Sequence, residues 1–328
     1  MPHAPPVKKL FEMCNKLIGR SKASPLPTVH PPSQLPVMFS EFFISKVADI
    51  RSVLDQMLVS STVPTHSDTP LHSSQFSFLP ISDSDLKTLI LKSKPTTCPL
   101  DPIPTPLLLE YIDVLLPTLT RIVNDSLATG IFPSLFKNAV VKPLLKKPSL
   151  DPNVLKNYRP VSNLSFLSKV MEKVVLKQLL SYLNSHDLIS HTQSAYRPVH
   201  STETALIKVT NDILDGLDGG DESVLTLLDL SAAFDTIDHT TLLKRLSTLY
   251  GISCPALAWF ESYLCGRTQA VLVAGQMSPL VPLSFGVPQG SVLGPILFIM
   301  YTKPLSSLIQ THSVSNQSFA DDTQLYKS

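Results

Sequence analysis

The segment Phe319-Ala320-Asp321-Asp322 sets two adjacent carboxylates inside a short apolar run, and it limits how the chain can fold more than any other feature. Like charges repel and resist burial unless a cation joins them, so the fold must deliver this segment to a turn beside water or a metal ion. Ser318 to Tyr326 reads as a hairpin with Asp321-Asp322 at its turn. Upstream, Val224 to Leu230 reads as a buried strand running into Asp229. Between them Asp238 caps a helix through Leu242, Leu246 and Leu249, with Gly251 at its end. Gln269 to Ala274 and Leu280 to Phe285 form a strand pair, and Ser291 opens a further helix. Strand, helix, two strands, helix, hairpin is an α+β order of the split βαβ type with an antiparallel sheet. Such a sheet would bring Asp229 beside Asp321.

The preceding residues supply helices and loose connections. Prolines crowd residues 1–36, and Ser60 to Pro80 is a second Ser, Thr, Pro and His-rich linker, with a helix over Glu41 to Leu58 between them. Asp83 or Ser84 caps a helix whose apolar face is Leu86, Leu89 and Ile90. Thr105-Pro106 opens another, which Pro117 interrupts and Gly130 ends. Asn138 to Leu145 is a strand. Ser165 to Leu183 is an amphipathic helix burying Phe166, Val170, Val174 and Leu180, and His200 to Leu217 is the next, ended by Gly219-Gly220.

Net charge is +1, yet its distribution is uneven. Lys and Arg dominate from Ile131 to Lys177, whereas Asn211 to Asp238 carries only acidic charges. Two solvated faces would explain this; so would a protein that grips phosphates in one place and cations in another. Cys14, Cys98, Cys254 and Cys265 lack zinc-ligand spacing and read as free thiols of a reducing compartment. No secretory signal or membrane span is apparent, so the expected location is intracellular, with nucleus and cytoplasm both open.

Three segments carry chemistry. Hard-oxygen ligands from converging strands suit magnesium, so Asp229, Asp321 and Asp322 form a candidate metal set, although an Asp-Asp turn or a loop-capping Asp is common without one. Phosphoryl transfer from a nucleoside triphosphate uses two such ions about 3.5–4 Å apart. Gly286 and Gly290 in Gly286-Val287-Pro288-Gln289-Gly290-Ser291 let the backbone approach a planar ligand, Gln289 offers an amide, and Ser291 can cap the helix behind; a plain glycine turn is the alternative. Phe234, in Leu228-Asp229-Leu230-Ser231-Ala232-Ala233-Phe234-Asp235, is either a core residue or the wall of a sugar pocket.

In this order the three segments resemble the A, B and C motifs of reverse transcriptases, above all the LINE-type (non-LTR) retrotransposon enzymes. Asn157-Tyr158-Arg159-Pro160-Val161-Ser162-Asn163-Leu164 and Gln193-Ser194-Ala195-Tyr196-Arg197-Pro198 are similar to that family's fingers motifs, with Ala195 where the family often has Gly. Thr97-Cys98-Pro99-Leu100-Asp101-Pro102-Ile103-Pro104 resembles its N-terminal extension. The resemblance implies a right-hand polymerase of fingers and palm: 1–80 disordered or linker, 81–135 helical extension, 136–220 fingers, and 221–328 partial palm with the thumb missing.

It also implies roles. Asp229 and Asp321, with Asp322, would hold two Mg2+ ions, Mn2+ being an alternative, and would be catalytic. Phe234 would be the sugar gate, and Gln289 and Gly290 would track the nascent base pair. Arg159, helped by Lys142 or Lys146, would contact the incoming triphosphate, although solvated surface serves the lysines equally well. Tyr196 and Arg197 would lie near the template. The partners would be an RNA template, a DNA primer and deoxynucleoside triphosphates, with no membrane; oligomeric state is not legible. The expected function is RNA-directed DNA polymerase (reverse transcriptase) by two-metal nucleotidyl transfer. The alternative is a truncated, inactive remnant that at most binds RNA or a partner polymerase.

Overall fold

Two sheets organise the described residues, 25–60, 75–96 and 98–327, of the computed structural model. Most of the proline-rich start with Cys14, the linker residues 61–74, Thr97 and Ser328 lie outside them. The strands are β1 (Asn138–Leu145), β2 (Tyr158–Asn163), β3 (Val224–Leu228), β4 (Arg267–Val273), β5 (Gln276–Met277), β6 (Val281–Leu283), β7 (Ser315–Phe319) and β8 (Asp322–Lys327). The helices are α1 (Leu35–Ser60), α2 (Asp83–Lys92), α3 (Thr105–Glu110), α4 (Ile112–Thr129), α5 (Phe166–Ser185), α6 (Thr202–Asp218), α7 (His239–Tyr250), α8 (Ala256–Leu264) and α9 (Gly294–Thr311). No helix among the described residues is long and apolar enough to cross a membrane.

The first sheet runs β2-β1-β4-β5, with β6 also on β4. β1 is antiparallel to β2, with Leu144 opposite Arg159, and parallel to β4, with Asn138 opposite Thr268. The β4/β6 pair therefore joins β1 and not the strand that leads to Asp229. Residues 267–283 thus return to the sheet of residues 138–163. Ala270 and Val271 are adjacent and both buried, as a strand covered on both faces requires.

The second sheet is antiparallel, in the order β3-β8-β7. β3 was expected to be buried, but it is an edge strand and exposed throughout, with Leu227 at 70%. The sequence shows only an apolar run; here α6 packs against β7 and β8 and leaves β3 uncovered. The hydroxyl of Ser201 caps α6 from the Thr204 N–H, and Tyr326 of β8 donates to Asp212 on that helix at 2.5 Å.

The region 1–80 is not wholly linker. α1 begins at Leu35, ahead of the expected Glu41, and buries Leu35, Phe39 and Phe43 against Val141, Tyr158 and Val271 of the first sheet. The Phe39 ring meets Tyr158 edge-on at 4.9 Å. Ser82, and neither Asp83 nor Ser84, caps α2 by accepting from the Asp85 N–H. The α3/α4 break falls at Tyr111, where the backbone leaves helical geometry, while Pro117 lies inside α4. Gly130 then ends α4 with φ +71°.

The main core joins α2, α4, α5, α7, α8 and α9. α8 is absent from the sequence reading, yet it carries Trp259, Phe260 and Tyr263 to the centre, all 0% exposed. Trp259 stacks on Tyr263 at 5.5 Å, meets Phe132 edge-on, and donates its indole N–H to the Ser126 hydroxyl at 3.0 Å. Burying each such ring contributes about 2–3 kcal/mol.

Candidate active site

Strand register determines where the carboxylates meet. Leu228 of β3 pairs with Thr323 of β8, so Asp229 emerges beside the start of β8. Phe319 pairs with Asp322, which leaves Ala320 and Asp321 as the turn. The expected turn is thus displaced by one residue: Asp322 is the first residue of β8 and is exposed. Ala320 holds φ +58°, an uncommon conformation for a residue with a Cβ. A buried amide clamps it there. Gln193 Oε1 accepts from the Ala320 N–H at 3.0 Å and from the Ala195 N–H at 2.9 Å, while its Nε2 donates to the Ala320 carbonyl.

Asp229 and Asp321 line one cleft of about 720 Å³. Phe234, Asp235 and Gln289 share it, as do Lys46, Lys146 and Arg159. Burial pushes the Asp321 carboxyl above the usual range, and the negative charges of Asp322 and Asp229 push it the same way. Burial lowers the Lys146 ammonium, aided by Lys46 and opposed by Asp229. Burial also raises Asp235 to about 6, against the Gln289 amide and the Lys46 charge, which both pull it down.

A divalent cation suits this arrangement, because crowded carboxylates that raise one another are relieved by positive charge and the donors are all oxygen. Among the described residues, no three His, Cys, Asp or Glu side chains are drawn close enough to form a closed metal cage. Magnesium does not require one, since one or two carboxylates plus water and substrate phosphate oxygens make its usual shell.

The glycine segment is fixed on both sides by backbone. Its Gly286 N–H donates to the Ile237 carbonyl and its Val287 N–H to Phe234, while the Ser162 N–H of β2 donates to the Gln289 carbonyl at 2.7 Å. A Cβ on Gly286 would stand 2.6 Å from the Asp235 carbonyl oxygen, and one on Gly290 would stand 2.5 Å from that of Ser162. Both glycines therefore permit close approach to protein backbone. The Gln289 Nε2 donates to Asp235 at 2.7 Å, and the Ser291 hydroxyl accepts from the Gly294 N–H at the start of α9. Phe234 is partly buried, and its ring lies 4.9 Å from Phe298 of α9, so it serves core and cleft together.

Beneath this segment lies Glu172 of α5, 0% exposed. It accepts from the Val292 N–H (2.7 Å), the Leu293 N–H (3.1 Å) and the Tyr263 hydroxyl. Burial raises its carboxyl; buried Arg267 and the two backbone donors oppose that.

Five expected residues stand outside the cleft lining. Lys142, opposite Val161, lies two pairs along the ladder from Arg159, where its charge reaches Cys98. Gly290 and Asp322 are exposed beside the cleft. Arg197 donates to the Ser190 and Gln193 carbonyls and so braces its own loop. Tyr196, 52% exposed, stays close enough to Asp321 for that charge, after burial, to raise its hydroxyl. Sequence reasoning missed Lys46, Gln193 and Glu172. The spacing of an isolated Lys, Gln or Glu carries no signal of such roles, because their partners are distant in the chain.

A family model described as reverse transcriptase (RNA-dependent DNA polymerase) matches residues 145–328. The RNA-directed DNA polymerase from mobile element jockey of Drosophila melanogaster is 32% identical over 216 residues, covering 64% of this chain and 23% of that protein. The probable RNA-directed DNA polymerase from transposon BS of the same organism is 31% identical over 187 residues, covering 57% and 20%. The chain thus spans about a quarter of the length of the curated relatives it matches. Among solved structures, apo telomerase from Candida tropicalis truncated from its C-terminal domain aligns with a TM-score of 0.42 at 16% identity, over 60% of this chain and 45% of that one. The chain belongs to the reverse transcriptase (RNA-dependent DNA polymerase) family, on its LINE-type, non-LTR retrotransposon branch.

Proposed function

We propose that the cleft carries out template-directed nucleotidyl transfer, extending a DNA primer on an RNA template with deoxynucleoside triphosphates. The observation that carries this is the meeting of Asp229 and Asp321 with Lys146, Arg159 and Gln289 in one cleft, although they come from four separate chain segments. The primer 3′-hydroxyl attacks the α-phosphate, a phosphorus–oxygen bond forms, and the bond to pyrophosphate breaks. Divalent ions, Mg2+ or Mn2+, held by Asp229 and Asp321 with Asp322 alongside, would supply positive charge at the attacking and leaving oxygens.

The remaining roles belong to the protein's own groups. Arg159 and Lys146 face the cleft with cationic heads suited to phosphate oxygens, the guanidinium by a planar fork. Phe234, held against Phe298, presents a rigid ring where a sugar 2′-hydroxyl would have to fit. Gln289, fixed by Asp235, tracks the nascent base pair, with Gly290 keeping its backbone against β2. Tyr196 lies at the rim near Asp321, which suits a template contact. In this reading the helices of residues 81–135 are the extension, the first sheet belongs to the fingers, and the second belongs to the palm.

The test is Asp321→Asn in RNA-templated primer extension and in Mn2+ binding by isothermal titration calorimetry, the second needing no turnover. We expect extension to fall on the order of a hundredfold or more, with Mn2+ binding lost and the melting curve retained. A variant that extends and binds Mn2+ like the parent refutes the metal role.

A further inference from the structure

We propose that Lys46 of α1 is a binding residue for the triphosphate of the incoming nucleotide, and that α1 is the third wall of the nucleotide site. The inference rests on the nucleotidyl-transfer reading and adds a residue that no motif supplies. α1 is anchored at two points along its length. Its first turns bury Leu35, Phe39 and Phe43 on the first sheet. Farther along, Arg51 reaches Asp238 at 3.6 Å and lies 4.8 Å over the Phe285 ring, on the side of the glycine segment. Between these anchors Phe43, Ile44, Lys46, Val47 and Ala48 face the cleft.

Lys46 is therefore presented to the cleft by a braced helix. Its charge is felt there from two directions, acting against Lys146 and in favour of ionised Asp235. Two ammonium groups brought within mutual range in a cleft repel, and an anion between them relieves that repulsion. Lys146 is also within electrostatic reach of Asp229. A polyphosphate reaching from the carboxylates toward Lys146 therefore meets Lys46 next. A backbone phosphate of nucleic acid carries one charge per nucleotide, whereas a triphosphate concentrates several, which suits a converging pair of lysines better.

The experiment titrates the chain of residues 1–328 with 2-aminopurine deoxyribonucleoside triphosphate in Mg2+, read by fluorescence anisotropy, and in parallel with a labelled RNA–DNA primer–template duplex. Lys46→Met keeps most of the aliphatic stem and removes the charge; Lys46→Arg restores it. We expect Lys46→Met to weaken triphosphate binding about tenfold, Lys46→Arg to recover most of it, and duplex binding and the melting curve to stay at parent values. Asp321→Asn, run alongside, separates the two claims. If Asp321→Asn abolishes Mg2+-dependent triphosphate binding while Lys46→Met binds like the parent, the inference fails and the nucleotidyl-transfer reading stands. If Lys46→Met weakens binding while Asp321→Asn does not, the site binds triphosphate but the metal reading fails. Weakened duplex binding with triphosphate binding unchanged overturns the inference in favour of a nucleic-acid backbone contact.

Discussion

Gly286 and Gly275 provide a controlled comparison within one molecule. Both hold φ +79°, so Gly→Ala imposes a similar left-handed penalty at each, about 1–2 kcal/mol. Their surroundings differ. A Cβ on Gly275 meets nothing within 4 Å, whereas one on Gly286 would stand 2.6, 2.7 and 2.8 Å from the carbonyl oxygen, Cα and carbonyl carbon of Asp235. Those atoms are backbone and have no rotamer by which to retreat. Overpacking of this kind adds about 1–3 kcal/mol. Gly275→Ala should therefore cost about 1–2 kcal/mol and Gly286→Ala about 2–5 kcal/mol. Urea unfolding followed by Trp259, the sole tryptophan, measures both, and an unchanged m-value licenses the comparison. Equal losses at the two positions would refute the claim that Gly286 is required by close approach and not by φ alone. Gly286→Ala should also reduce triphosphate binding, because its own N–H bonds to the Ile237 carbonyl and that of Val287 to Phe234, whereas Gly275→Ala should leave binding intact.

Three further outcomes follow from the same geometry. Asp235 holds its proton more tightly folded, at about 6, than unfolded, at 3.8, so the stability tied to it is full below about pH 4 and declines as pH rises to about 6. Asp235→Asn should flatten that decline in urea melts across this window, and an unaltered profile would contradict the burial of this carboxyl. Glu172→Ala strands two backbone N–H groups, the Tyr263 hydroxyl and buried Arg267, a loss of about 3–5 kcal/mol; a loss below about 1 kcal/mol would show that the network adds little. Gln193→Ala should cost about 1–3 kcal/mol and speed hydrogen exchange at the Ala320 amide, and unchanged protection there would mean the clamp does not hold the turn.

The sequence made the contacts nearest in the chain legible. The strand Asn138–Leu145 matches to the residue, Asp238 and Gly130 cap the helices expected of them, and the helix expected to start at Ser165 starts one residue later with Ser165 as its cap, because capping and alternation are local physics. The meeting of Asp229 with Asp321 was also readable, since strand order and a hairpin suffice to predict it. What failed to show depended on partners far away. β4 looked like a neighbour of the second sheet, yet its parallel pairing with β1 joins residues whose proximity no periodicity reveals. β3 looked buried because apolar runs usually are, but exposure depends on which helix covers the sheet. α8 escapes a periodicity reading because its nine residues are almost all apolar or aromatic, with only Glu261 and Ser262 to mark a solvent face. Gln193 stands within a motif, while its bonds to the Ala320 turn depend on the parallel bridge to β7 that brings Ser318 beside it.

The walls of the cleft come from α1, Lys146 with β2, Gln269 of β4, the segment from Asp229 to Asp235, the stretch from Pro282 to Gln289 and the Asp321 turn. No contiguous fragment encloses that space, and a nascent chain cannot close it until the hairpin bearing Asp321 has been made. On the nucleotide-binding proposal, occupancy would report completed folding and by mass action would draw these segments toward the assembled state together.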